Sequence, residues 1–443
     1  MAKAYDAIII GTGQAGPFLA SRLAAAGMKV AIAERKFFGG TCVNTGCIPT
    51  KAMVASAYAA RVAQRAREYG VMIEGDVRVD MKKMKARKDA ISGKSRTGIE
   101  TWLKGTENCT VYQGHARFES AREVRVGDEL ISSERIFINV GGRAAIPSMP
   151  GIDQIAYLTN SSMMEVDFLP DHLVIIGGSY IGLEFGQMFR RFGSKVTMVE
   201  MMPRLIARED EDVSIAIRQI LEQEGIELRL NAKCVGFTKH PKGISVRVDC
   251  TDGSPEVVSS HVLLAVGRHP NTDDLGLDKA AVKTDERGYI LVDDQLRTTH
   301  TAYNDFEIVA ANLLDHDQRR VSDRILAYAL YIDPPLGRAG MTEAEVRKSG
   351  RRALKGERPM TRVGRAVEKG ETQGFMKILV DAETEQILGA SILGTGGDEA
   401  IHSILDVMYA KAPYTTLQRA MHIHPTVSEL VPTMLGELRA LST

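Results

Sequence analysis

The chemistry of this sequence begins with two cysteines. In the run Gly39-Gly40-Thr41-Cys42-Val43-Asn44-Thr45-Gly46-Cys47-Ile48-Pro49-Thr50-Lys51 the thiols stand five positions apart. Pro49 has no amide proton and a fixed φ, so it fits only the first turn of a regular helix. Cys47 is therefore expected near a helix N-terminus, where the macrodipole lowers a thiol pKa. Cys42 is expected in the preceding irregular turn, which Gly46 makes possible. A dithiol so placed can close to a disulfide and reopen. The competing readings are half of a zinc site and two buried, inert thiols. Zinc needs two more close ligands, and the neighbouring sequence offers neither His nor Cys, so no metal is expected. The redox reading is preferred.

Two glycine-rich turns come next. Gly11, Gly13 and Gly16 fit G-x-G-x-x-G between an apolar run and a helical pattern, and Glu34 follows 18 positions after Gly16. Glycines let backbone approach a pyrophosphate at a helix N-terminus, and the acid accepts from ribose hydroxyls. The alternative is a glycine-rich turn with a solvent-facing Glu. A second turn, Gly177-Gly178-Ser179-Tyr180-Ile181-Gly182, has serine where the middle glycine normally sits. Glu200 lies 23 positions after Gly177. An acid there favours a free ribose 2′-hydroxyl over a 2′-phosphate, so NADH is the preferred nucleotide, with Arg204 close enough in sequence to blur the preference. Thr41 and Gly267 complete the candidate cofactor contacts.

Near the end, His422-Ile423-His424-Pro425-Thr426-Val427-Ser428-Glu429 puts two histidines and an acid in one segment. A His–carboxylate pair is how a general acid near neutral pH is oriented. Alone, such a segment is more often a surface or core histidine.

These residues need elements to hold them. The pattern predicts strand, turn, helix and strand at Ala7–Ile10, Gly11–Gly16, Pro17–Gly27 and Lys29–Ala33, then a long helix from about Pro49 to Glu68. The same order repeats at Leu173–Ile176, Gly177–Gly182, a helix to Phe192, and Lys195–Val199. Two such units imply two dinucleotide-binding sheets. Runs at Arg135–Val140 and His261–Val266 end in Gly141-Gly142 and Gly267-Arg268 and read as crossings between the sheets. Phe375–Val380 and Gln386–Ile392 read as a hairpin before a helix around Asp398–Ala410, a third α/β unit.

At 443 residues the chain exceeds one ordinary core. Hydrophobic content of 44% with 25% charged residues is that of a soluble globular protein. Lys plus Arg equals Asp plus Glu at 56 each, so no basic stripe points to nucleic acid. No run is long enough to span a bilayer, and the apolar start stops at Gly11, short of a signal-peptide core. A cytoplasmic location and no membrane partner are expected. Five sparse cysteines, the others being Cys109, Cys234 and Cys250, argue against a structural disulfide framework.

Taken together the motifs resemble the pyridine nucleotide–disulfide oxidoreductases, the class I flavoprotein disulfide reductases, over nearly the whole chain. The G-G-T-C-x4-C-x-P-x-K and H-P-T-x-S-E signatures carry the resemblance. Blocks such as Thr361–Lys377 and His422–Glu429 are most similar to the mercuric-reductase-like branch, with dihydrolipoamide dehydrogenase also similar. The resemblance implies an α/β chain with two Rossmann-like domains, for FAD and NAD(P), and a C-terminal α/β dimerisation domain. Its boundaries would be 1–142 and 267–326 for FAD, 143–266 for NAD(P), and 327–443 for dimerisation. It implies that Cys47 faces the flavin and Cys42 exchanges with substrate, that Lys51 and Glu184 pair beside the reactive flavin nitrogen, and that Tyr180 covers the nicotinamide pocket. His424, held by Glu429, would serve the partner's site in a homodimer. Hydride would pass from NAD(P)H to flavin, electrons to the Cys42–Cys47 disulfide, and the dithiol would then attack a disulfide, metal-ion or oxidant substrate.

The sequence departs from the family twice. No cysteine follows Cys250, where mercuric reductases carry a metal-delivering pair, so a small disulfide or another oxidant is expected as substrate at least as much as a metal ion. The run Leu296-Arg297-Thr298-Thr299-His300-Thr301-Ala302-Tyr303 also lacks the family's strand and Gly-Asp, reading as a deletion near 298–300 that removes one strand of the FAD sheet. Weakened FAD retention is expected. Two alternatives stay open: a dihydrolipoamide-dehydrogenase-type enzyme, and a catalytically impaired dimeric scaffold.

Overall fold

A chain with two apolar βαβ patterns must build two sheets covered on both faces, and it does. The structure is a computed structural model that describes residues 2–249, 255–294 and 302–441. The first sheet orders Cys109–Gln113, Val30–Glu34, Ala7–Ile10 and Ile136–Ile138, all parallel. The second orders Glu227–Arg229, Lys195–Val199, His172–Ile176 and His261–Leu264, again parallel. Parallel strands covered by helices are buried on both faces, which is why Ala7–Ile10 and Val30–Ala33 are continuous apolar runs, buried at every position.

The two predicted crossings pair with each other. Gly142–Ala144 and Arg268–Pro270 form a two-stranded antiparallel ribbon, so chain leaving the first sheet and chain leaving the second meet at one joint. A six-stranded antiparallel sheet forms the C-terminal unit around Phe375–Asp381 and Ile387–Leu393. The helix Gly397–Tyr409 lies on its strands, burying Ala400, Ile401 and Ile404.

Among the elements that escaped the sequence reading are a long helix and a small sheet. The helix Met81–Gly105 is capped by Asp80, which accepts from the Lys83 amide at 3.0 Å. Its buried stripe runs Met81, Met84, Lys88, Ser92 and on to Leu103, so the 3.6 period is present but Lys88 and Ser92 make its middle polar. Lys88 is tolerated there because its ammonium donates to the Met164 carbonyl at 2.6 Å. A three-stranded antiparallel sheet, Cys234–His240, Gly243–Asp249 and Glu256–Ser259, packs its apolar face on the second parallel sheet.

The expected deletion at 298–300 lies outside the described residues. Among the described residues, the first parallel sheet has four strands and Ile136–Ile138 forms its edge. The helix Ala302–Leu314 packs on the helix Gly16–Ala25 through the stacked rings of Phe18 and Phe306. No helix among the described residues is long and apolar enough to cross a membrane.

Candidate active site

Cys47 is the first residue of the helix Cys47–Gln64, with Gly46 at its N-cap and Pro49 inside the first turn. Cys42 is in the short helix Gly40–Asn44 rather than an irregular turn. The correction has a local cause. Gly39 and Gly40 take positive φ, which starts the turn, and Asn44 donates back to the carbonyls of Phe38 and Gly40 at 2.9 Å each. A side chain on Gly46 would meet the Thr41 carbonyl at 2.9 Å, so only glycine lets the two helices abut with the thiols facing.

The two thiols are unequal. Cys47 is pushed down to about 6, because the Cys42 thiol donates to it, with the Lys51 ammonium and its own backbone amide helping against burial. Cys42 is pushed up, since it is the donor in that contact and is partly buried. Lys51 follows one turn after Cys47, and its ammonium lies 2.8 Å from both carboxylate oxygens of Glu184. Glu184 is only 7% exposed and comes from the helix Tyr180–Phe192 of the second unit. Tyr331 was not singled out in the sequence, yet it completes this cluster. Its ring lies under the Lys51 ammonium at 4.6 Å and its amide donates to Glu184 at 3.1 Å. It sits where three units meet, and no local motif marks it.

One cavity of about 2930 Å³ runs past both glycine turns and the two cysteines. Drug-sized pockets are typically 300–1,000 Å³, so this one has room for two dinucleotides. In the first turn a Cβ on Gly16 would sit 2.1 Å from the Gly11 carbonyl, so the helix start touches the strand end. A Cβ on Gly13 would meet nothing nearer than 4.0 Å, leaving its space open on the cavity side. That is the cradle an FAD pyrophosphate needs, and the residues fit it. Glu34 holds the turn shut, accepting from the Thr12 amide at 3.1 Å and hydroxyl at 2.6 Å. Gly40 packs on Gly13, so the cysteine loop rests directly on the cradle.

The second turn repeats the design. Gly182 abuts the Gly177 carbonyl as Gly16 abuts Gly11, and Ser179 takes the place of Gly13. Glu200 accepts from the Gly178 amide at 2.6 Å and from the Met202 amide at 2.8 Å. Arg204 turns to the Ala207 carbonyl at 3.0 Å, whereas Arg208 and Lys233 are among the cations that line the cavity together with Glu200. Thr41 reaches the joint, its hydroxyl donating to the Gly142 carbonyl at 3.4 Å, and Gly267 precedes the ribbon strand that begins at Arg268. Arg268, the residue after Gly267, donates to the Gly142 carbonyl and lies 3.5 Å from the Thr41 hydroxyl.

His424 donates from Nδ1 to the Glu429 carboxylate at 2.8 Å. Its side chain is 80% exposed, and it does not line the cavity that holds the cysteines. Within one chain, then, the His–Glu pair and the dithiol are separate. Met421 and Ile423 beside it are 98% and 80% exposed.

A second acidic group, Asp210, Asp212 and Glu343, is close enough to hold a cation. The Lys377 ammonium already fills it, at 2.8–2.9 Å from all three.

Comparison with known proteins accords with this geometry. Residues 5–302 match the family model described as pyridine nucleotide-disulphide oxidoreductase, and residues 326–435 match the dimerisation domain of the same family. The chain is 33% identical to a dihydrolipoyl dehydrogenase of Thermus scotoductus, over 96% of each chain. It is 34% identical to the probable pyridine nucleotide-disulfide oxidoreductase RclA of Escherichia coli, over 96% of this chain and 97% of RclA. It is 32% identical to a mercuric reductase of Streptomyces lividans, over 96% of this chain and 94% of that one. The solved structure of RclA, titled an HOCl-induced flavoprotein disulfide reductase, superposes with a TM-score of 0.88 at 33% identity, covering 98% of this chain and 100% of that one.

Proposed function

The chain belongs to the pyridine nucleotide-disulphide oxidoreductase family, whose members are flavin-dependent enzymes, and on that premise we propose that it passes electrons from NADH through Cys42 and Cys47 to a small disulfide or oxidant. The observation that carries this reading is the unequal dithiol at a helix N-terminus, on a loop that packs against a dinucleotide cradle. FAD, when bound, would take a hydride from the nicotinamide and supply two electrons to the disulfide. Gly11, Gly13, Gly16, Glu34 and Thr41 would hold it. Gly177, Gly182, Glu200 and Gly267 would hold or border the nicotinamide nucleotide.

The remaining work falls to this chain's own side chains. Cys47 is kept as a thiolate by the helix start, by Cys42 and by Lys51, so it is the sulfur suited to face an electron acceptor ring. Glu184 fixes Lys51 in place, and Tyr180, one turn before Glu184, stands on the same cavity wall. Cys42 would attack the oxidised substrate, bonding to one half of it and releasing the other as a thiol or hydroxide; the Cys47 thiolate would then attack the Cys42 sulfur and expel the bound half as the disulfide re-forms. His424 of the partner subunit, oriented by Glu429, would carry the proton for that exchange. Homodimerisation is the reading that explains why Met421 and Ile423 stand open to water around that histidine. NADH is favoured over NADPH because Glu200 is the acid at the ribose end, although Arg208 and Lys233 soften the choice.

Cys42→Ser tests the core of the reading. Turnover of disulfide and oxidant substrates should fall by at least about 100-fold, while the long-wavelength thiolate–flavin absorbance persists. Retained turnover would mean that another group meets the substrate.

A further inference from the structure

Tyr180 is held at both its hydroxyl and its ring. Its hydroxyl donates to Glu209 at 3.0 Å, and its ring makes an edge contact with Tyr328 at 5.7 Å between centroids. Tyr328 donates to the same oxygen of Glu209. Tyr180 belongs to the second unit, whereas Tyr328 sits on the first strand of the C-terminal sheet, Ala327–Leu330, paired with Arg338. Both rings line the large cavity. Glu209 itself is 2% exposed, and its other carboxylate oxygen is buried without a partner. Next to it, Asp210 is bound to Arg338 and Lys377 of the C-terminal sheet, so the segment carrying Glu209 cannot drift.

We propose that Glu209 is a positioning residue, a latch that holds the Tyr180 ring closed at the nicotinamide end of the cavity and sets how fast the nucleotide enters. This deepens the reading above and rests on it. A buried carboxylate needs a donor at all times. With Tyr328 in place, Tyr180 can swing away and leave Glu209 still bonded. Without Tyr328, opening the ring would orphan a buried charge. The two tyrosines therefore have opposite effects on opening, although they bond the same oxygen.

That difference in sign is the test. The purified full-length protein is mixed with the tetrahydro analogue of NADH, which cannot give up a hydride, and association is followed by stopped-flow quenching of protein fluorescence. Tyr180→Phe keeps the ring and cuts the latch, so association should quicken by about tenfold. Tyr328→Phe should slow it several-fold, and Glu209→Gln, which still offers an acceptor oxygen, should quicken it less than Tyr180→Phe does. A purely structural role would lower the melting temperature and move both tyrosine variants the same way, or neither; either result overturns the latch. If the wild-type protein does not bind the analogue at all, the proposed function fails first, and the two failures are told apart.

Discussion

At Cys47 the essential event is a proton that leaves early. The thiol would ordinarily ionise near 9.0 and is brought to about 6 by Cys42, Lys51 and the backbone at the helix start. Above that pH the reduced protein should therefore carry a thiolate, and its ultraviolet thiolate absorbance should rise with a midpoint near pH 6. Cys42→Ala removes the first donor and Lys51→Met the nearest charge, so each should move that midpoint upward. An unchanged midpoint in both would mean that neither group sets the ionisation. The residues in this event were legible from the sequence because they are close along the chain. Pro49 marks the helix start, Gly46 the abutment, and Lys51 stands one turn on. Tyr331, Tyr328 and Glu209 were not legible, because each acquires its contact only where separate units meet. Even the helical state of Cys42 was missed, since it depends on Gly39 and Gly40 adopting positive φ and on Asn44 closing the turn.

Among the elements, the C-terminal strand Phe375–Asp381 carries a lysine where a strand interior would normally be apolar. Lys377 is 1% exposed and lies within 2.9 Å of Asp210, Asp212 and Glu343, which join the second unit to the third. Lys377→Met should destabilise the protein by about 3 kcal/mol, because it leaves buried carboxylates without their central cation. Chemical denaturation would measure this, and a change below experimental error would refute it. Burial works against ionisation of Glu343, but hydrogen bonds from Lys355 and Lys377 hold it down at about 2, below the ordinary 4.5. A depressed carboxylate stabilises the fold fully above its unfolded value. This contribution should therefore be intact above about pH 4.5 and lost as pH falls towards 2, a decline that Glu343→Gln should remove. The sequence showed the strand pattern here but not the charge cluster. The same holds for the helix Met81–Gly105, whose buried stripe is interrupted by Lys88 and Ser92. At the first parallel sheet, Ile136–Ile138 is an edge among the described residues, and its amides should exchange with solvent faster than those of Ala7–Ile10.

In the whole molecule, the cradle turns and the dithiol come together in one chain, and the His–Glu pair does not join them. If His424 serves the other subunit, mixed dimers decide the matter. Cys42→Ala and His424→Ala homodimers should each be inactive, whereas a mixed dimer regains one intact site and measurable turnover. Absence of recovery in a verified mixed dimer would place His424 outside the exchange step. The two-sheet plan was readable because a parallel βαβ unit writes its apolar strands and glycine turn into consecutive residues. The antiparallel ribbon joining Gly142–Ala144 to Arg268–Pro270 pairs segments too distant for any local pattern to reveal. The most direct measurement on the whole account is an anaerobic titration of the FAD-loaded protein with NADH, followed by thiol labelling and peptide mapping. Two new thiols should appear, at Cys42 and Cys47, as reducing equivalents are added. A protein that takes up no flavin, or one whose flavin is reduced while those two sulfurs stay joined, would contradict it.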